Sequence, residues 1–144
     1  MKEPDDSYHA FLVRIPTIMC GEGTCIVDLA LMRALLKEDA CLLPALLTPG
    51  EQNYCLKWRN PLPHIAARFA AKRALIEQMR IEEKTDITWT EIDIRSTPEG
   101  APSLTLEKRV LDYARQAHMT SWLVSLTHAR QYAGAFVAIE TKRG

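Results

Sequence analysis

No uninterrupted apolar run in this chain is long enough to span a bilayer, so no membrane segment is expected. Charge of one sign is not in excess either. The 144 residues carry a formal net charge of zero, so no global field favours nucleic acid or an anionic membrane, and any anion site must be a local cluster. The stretch Met1-Lys2-Glu3-Pro4-Asp5-Asp6 lacks the basic flank and apolar core of a signal peptide, and a cytoplasmic location is expected. Four cysteines, at 20, 25, 41 and 55, form no Cys-x-x-Cys pair, and no histidine stands at zinc-finger spacing. Reduced, partly buried thiols are expected, and nothing recommends a Cys20–Cys25 disulfide. Repeats, low-complexity tracts and linkers are absent too. With 47% hydrophobic and 25% charged residues, the chain reads as one globular domain over residues 1–144.

The periodicity orders the elements. Residues 8–15 are β-rich and read as a strand that breaks at Pro16. Two glycines in residues 21–24 mark a turn into the short apolar run Cys25-Ile26-Val27. From Asp28, a plausible N-cap, the pattern becomes helical, with Leu29, Met32, Leu35 and Leu36 on one stripe. Pro44 interrupts the next apolar segment. Thr48-Pro49-Gly50-Glu51 is a capping-box signature with proline at the first helical position, starting a helix through Trp58. The longest helix is expected over residues 62–80, its stripe being Ile65, Phe69, Ile76 and Met79. Residues 85–94 alternate as a strand with Ile92 and Ile94 on one face. A turn at Pro98-Glu99-Gly100, a short strand over 103–105 and an amphipathic helix over 107–117 follow. Residues 121–127 and 133–139 read as two buried strands. The order predicts an α+β fold, helices packed on a mainly antiparallel sheet.

Four blocks, in order, carry a family resemblance over about residues 23–140, leaving residues 1–22 outside it. They are Gly23-Thr24-Cys25-Ile26-Val27-Asp28-Leu29, then Thr48-Pro49-Gly50-Glu51, then Ala67-Arg68-Phe69-Ala70-Ala71-Lys72, and finally Ser125-Leu126-Thr127-His128. Gly100-Ala101-Pro102 also fits. Together they resemble the holo-acyl-carrier-protein synthase branch of the 4'-phosphopantetheinyl transferases. That resemblance implies transfer of phosphopantetheine from coenzyme A to a carrier-protein serine, in a homotrimer with sites between subunits. It also implies a Mg²⁺ held by an Asp of the first block and a Glu of the third, because phosphoryl transfer needs a hard cation against the diphosphate.

Carried across, the Asp position falls on Cys25 and the Glu position on Arg73. A thiol is a poor Mg²⁺ ligand, and a guanidinium puts a permanent positive charge where the cation belongs. At about 4 Å and an effective dielectric of about 20 the repulsion is ~4 kcal/mol, roughly three orders of magnitude in affinity. A family lysine falls on Glu77, and Arg80-Ile81-Glu82-Glu83 replaces a glycine-rich turn. Asp28 as a substitute metal ligand requires a register shift that misplaces Gly23 and Arg33. Arg68, Lys72 and His128 are the anion-binding groups that the resemblance implies for coenzyme A, the last two otherwise reading as an exposed lysine and a hydrogen-bonded strand-end histidine. Leu31, Arg33 and Lys37 stand on the helix that would dock an acidic carrier protein. Arg73 is also placed to pair with Glu77 at i,i+4. His9, His64 and His118 read as incidental.

The expectation is therefore a catalytically degenerate relative, with a binding or scaffolding role in carrier-protein-dependent biosynthesis of the fatty acid or polyketide type. No cofactor is expected; coenzyme A is a candidate ligand, and Mg²⁺ enters only with a rearranged site. Two alternatives stand beside it: an active transferase with such a site, and a structural subunit of a mixed oligomer with an active paralogue. The expected partner is acyl carrier protein or another biosynthetic protein. The expected assembly is a homotrimer or mixed oligomer, without nucleic acid or membrane.

Overall fold

The computed structural model describes residues 17–21, 23–80 and 87–142. The strand read over 8–15, the break at Pro16, and Ile81-Glu82-Glu83 lie outside them. The described elements are β1 (Thr17–Gly21), β2 (Thr24–Asp28), α1 (Leu29–Glu38), α2 (Leu42–Leu46), α3 (Pro49–Leu56), α4 (Leu62–Gln78), β3 (Ile92–Ser96), β4 (Pro102–Leu106), α5 (Lys108–Gln116), β5 (Met119–His128) and β6 (Tyr132–Thr141). The fold is α+β. One antiparallel sheet has the order β1-β2-β6-β5, and β3 pairs with β4 in a separate hairpin. Among the described residues no helix is long and apolar enough to cross a membrane.

Local side-chain caps fix two of the five described helix starts. Asp28 caps α1, its Oδ1 accepting the Leu31 N–H at 3.1 Å. Thr48 and Glu51 close the capping box of α3: the Thr48 N–H donates to Glu51 Oε1 at 2.8 Å, and the Glu51 N–H to Thr48 Oγ1 at 3.2 Å. Pro44 does not interrupt a segment as expected; it lies in the first turn of α2, where the missing N–H would have had no helical partner anyway. The strand read over 85–94 is shorter. Trp89–Glu91 form a 3-10 turn with its own Thr88/Glu91 capping box, and β3 begins only at Ile92, with Ile92 and Ile94 buried as expected.

The core lies between α4 and the inner face of the four-stranded sheet. Alternation along the strands sends Cys25, Val27, Val124, Ala133, Ala135 and Val137 inward. β5 and β6 are therefore not wholly buried, contrary to the sequence reading: Leu123 is 65% and Phe136 48% exposed on the opposite face. α4 departs the other way. Beyond its expected stripe, Ala66, Ala67, Ala70, Ala71 and Ala74 are buried, because the helix packs on the sheet, α1 and α3 at once. Small side chains permit that approach on several sides, and burying Phe69 among them is worth about 2 kcal/mol.

Candidate functional site

The site grows from the junction of α3 and α4. Tyr54 stands in the last turn of α3 and Trp58 in the connection that follows it, while His64 and Arg68 stand four apart at the start of α4 and share one helix face. Arg68 is only 2% exposed. Its Nη1 donates to the His64 carbonyl at 3.4 Å and its Nη2 to Ser96 Oγ at 3.2 Å, while the guanidinium lies 4.2 Å from the Tyr54 ring centre. Its Nε is buried without a hydrogen-bond partner, and among the described residues no carboxylate pairs with it. A desolvated cation so incompletely compensated is costly unless an anion completes it.

Arg68 opens onto a cleft of about 160 Å³ lined by Tyr54, His64, Ser96 and His128 beneath the Gly100 turn. His64 and His128 meet edge to face with ring centres 5.4 Å apart, and Trp58 stacks on His64 at 4.6 Å and 13°. Both histidines also line an adjoining cleft of about 680 Å³, to which Arg33, Arg59 and Arg130 contribute from three different elements. No carboxylate lines either cleft. Burial holds the His64 pKa below the usual imidazole value, with His128 and Arg68 adding to the effect. The hydrogen bond with Ser96 holds the Tyr54 hydroxyl below its ordinary value, and Arg68 and Lys57 assist against desolvation.

Lys72, one turn further along α4, is placed differently from its neighbour Arg68. It is fully buried, and its ammonium donates to Glu51 Oε1 at 2.6 Å, the Leu46 carbonyl at 2.7 Å and the Trp89 carbonyl at 3.1 Å. Those are all three donors an ammonium has, and none is left for a phosphate. The exposed-lysine reading is corrected, and the side chain sits in the scaffold. Glu51 is equally occupied, its second oxygen accepting the Ile94 N–H at 2.9 Å. Burial pushes the Lys72 pKa down, with Glu51 opposing.

Cys25 is a fully buried, inward-facing residue of β2, opposite Ala135. Arg73 reaches toward Glu77, Nη2 to Oε1 at 3.9 Å, the i,i+4 pair anticipated from sequence. Asp28 lies on the other face of β2 from Cys25, and its Oδ1 accepts the hydrogen bond that caps α1. Among the described residues, no three His, Cys, Asp or Glu side chains gather as they would around a metal ion. On α1, Leu31, Arg33 and Lys37 are all exposed. Helical spacing puts Arg33 and Lys37 on one side and Leu31 on another, so the three do not form one patch.

His128 ends β5 as read, but its imidazole makes no hydrogen bond to another described residue and opens to the clefts. His64, read as incidental, belongs to the site. Tyr54, Ser96, Arg59 and Arg130 were not singled out from sequence. For His64, its spacing four residues before Arg68 is a usable signal.

No family model matches the chain. It is 36% identical over 121 residues to the holo-acyl-carrier-protein synthase of Syntrophus aciditrophicus, covering 83% of this chain and 94% of that protein. The Geobacter sulfurreducens holo-acyl-carrier-protein synthase is 32% identical, over 83% of this chain and 96% of its own length. The structure is similar to that of Helicobacter pylori holo-acyl-carrier-protein synthase in complex with coenzyme A, with a TM-score of 0.71 at 28% identity, over 82% of this chain and 98% of that one. A Chronobacterium ammoniagenes synthase–coenzyme A complex shares the fold at a TM-score of 0.76 and 21% identity, over 84% and 96% of the two chains.

Proposed function

The chain belongs to the holo-acyl-carrier-protein synthase family, and from that premise we propose that it is a single-domain member that binds coenzyme A and docks a carrier protein while its metal-dependent transfer chemistry is degenerate. The observation that carries this reading is Arg68: a buried guanidinium with an orphaned Nε, facing a cleft between two histidines. Such a group fits a phosphate, to which arginine donates in charge-assisted pairs without needing a metal. Coenzyme A, when bound, supplies the anionic phosphates that this cleft lacks. Arg68 and His128 would hold a phosphate, Ser96 and Tyr54 orient the guanidinium, and Lys72 belongs to the frame beneath them.

Mg²⁺ does not fit the residues present. The two positions that correspond to the family's carboxylates hold a buried thiol, Cys25, and a guanidinium, Arg73, and the Glu77 carboxylate one turn on is engaged with Arg73. No step through the metal is derived. The degenerate reading follows from these two residues, and the role left is binding or scaffolding in carrier-protein-dependent biosynthesis. The outer face of the four-stranded sheet supports assembly as a homotrimer or as a subunit of a mixed oligomer, since Leu123 and Phe136 stand exposed there.

The test is direct. The chain is incubated with coenzyme A, Mg²⁺ and apo carrier protein, and the carrier is weighed by mass spectrometry while calorimetry follows coenzyme A. Expected are coenzyme A binding indifferent to Mg²⁺ and no phosphopantetheine mass gain. A mass gain would establish the active alternative. Arg68→Ala should weaken coenzyme A binding about ten- to a hundredfold, the worth of a charge-assisted phosphate contact.

A further inference from the structure

Two imidazoles stand on the wall between the two clefts, and nothing in the family correspondence assigns one of them. His64 lies one helical turn before Arg68, and its ring meets His128 at 5.4 Å and the Tyr54 ring at 6.2 Å. Neither imidazole hydrogen-bonds another described residue, so their ring nitrogens are available to a ligand. The groups facing His64 come from every element around it. Arg68 is on its own helix, Tyr54 on α3, and Trp58 and Arg59 are in the connection between those helices. Arg33 is on α1, His128 ends β5, and Arg130 is in the β5–β6 turn. All the permanent charges among them are positive.

We propose that His64 and His128 form a proton-linked receptor for a phosphate-type dianion, in which binding the anion beside Arg68 draws a proton onto His64. The proposal rests on reading the Arg68 cleft as an anion site and adds its regulation. In the empty cleft, a proton on His64 meets desolvation and a one-signed cationic surround. Burial, His128 and Arg68 hold its pKa below the usual imidazole value. A dianion between Arg68 and the two rings reverses the sign of the local field and offers an acceptor for the imidazolium N–H. The protonated form is then favoured, and ligand and proton bind with reciprocal coupling. The sign follows from linkage. A group whose pKa rises on binding takes up protons with the ligand, so affinity increases as pH falls through the window between the bound and free values. One such group gives at most about tenfold per pH unit.

The probe is inorganic sulfate, a dianion whose charge is constant across this range, titrated into the full chain while NMR follows the His64 and His128 ring protons. Coenzyme A is then added as competitor. The His64 titration midpoint should move upward at saturating sulfate, and sulfate should bind roughly threefold or more tighter near pH 6 than near pH 8. Coenzyme A should displace it. His64→Gln should keep sulfate binding near pH 8 and lose part of the gain on acidification. Sulfate binding that leaves the His64 midpoint in place overturns the proton linkage while the anion site stands. Failure of both sulfate and coenzyme A to perturb either ring at any pH overturns the anion site and the linkage together.

Discussion

Replacing Lys72 by methionine should be among the most damaging single changes in the molecule. The methionine fills nearly the same space, so the loss is electrostatic and not a cavity. Glu51 would keep the Thr48 and Ile94 N–H groups but lose the 2.6 Å contact to Lys72, the only cation among the described residues that touches it, at a site where both side chains are fully buried. The Leu46 and Trp89 carbonyls would each lose a donor as well. Removing one partner of a buried pair costs about 3–5 kcal/mol, against a total stability of about 5–15 kcal/mol for a domain. Adding Glu51→Gln should recover part of that loss, because it removes the stranded charge. Recovery stays incomplete, since a single amide oxygen cannot serve both the α3 cap and the start of β3. A coupling of about 1–3 kcal/mol between the two changes is expected. Urea unfolding followed by circular dichroism, at one fixed protein concentration, measures all four members of the cycle. If Lys72→Met costs less than about 1 kcal/mol, the lysine is not the tie described and its place in the scaffold is refuted.

Gly23 sits at φ +88, and a Cβ there would collide with the Val137 carbonyl oxygen, so Gly23→Ala should lower the thermal midpoint by several degrees and Gly23→Asn should not rescue it. Thiol labelling of the native chain should mark the exposed Cys41 readily and spare Cys55, whose thiol burial pushes up to about 11; equal labelling of the two would count against the core placement of Cys55. Restoring carboxylates with Cys25→Asp and Arg73→Glu should make coenzyme A binding tighten with Mg²⁺ by calorimetry. A folded double variant with no metal effect would break the correspondence assigned to those positions.

The fold was legible wherever the signal is local. Asp28, the Thr48/Glu51 box, the Gly100 turn and the alternation of Ile92 and Ile94 depend on neighbours within four residues, and the structure places them as read. Reading failed where a proline or a strand meets tertiary context. Pro44 looks like a breaker until it falls in a first turn, and the burial of β5 depends on which face α4 covers. The run over residues 85–94 contains Glu91, whose carboxylate accepts the Arg109 and Val110 N–H groups at the start of α5 as well as the Thr88 N–H. That long-range demand fits a turn at 89–91 better than an extended strand.

The candidate site divides along the same line, within one motif. Arg68 and Lys72 lie one turn apart, and their residue types alone mark both as phosphate ligands. Their fates are set by what the chain brings from elsewhere. Glu51, 21 residues upstream, delivers a buried carboxylate and so converts Lys72 into a structural tie. No described carboxylate reaches Arg68; Tyr54, Ser96 and the His64 carbonyl hold its guanidinium without neutralising it. The charge that the fold leaves uncompensated is the one available to a ligand. This also explains why His64 escaped notice: its value lies in a 5.4 Å approach to a histidine 64 residues away, which only the docking of the β5 end against α4 creates. A basic residue in a motif therefore identifies a ligand contact only once its internal partners have been counted. By that count the anion site proposed for this chain is Arg68 with its two histidines, and Lys72 is part of the floor.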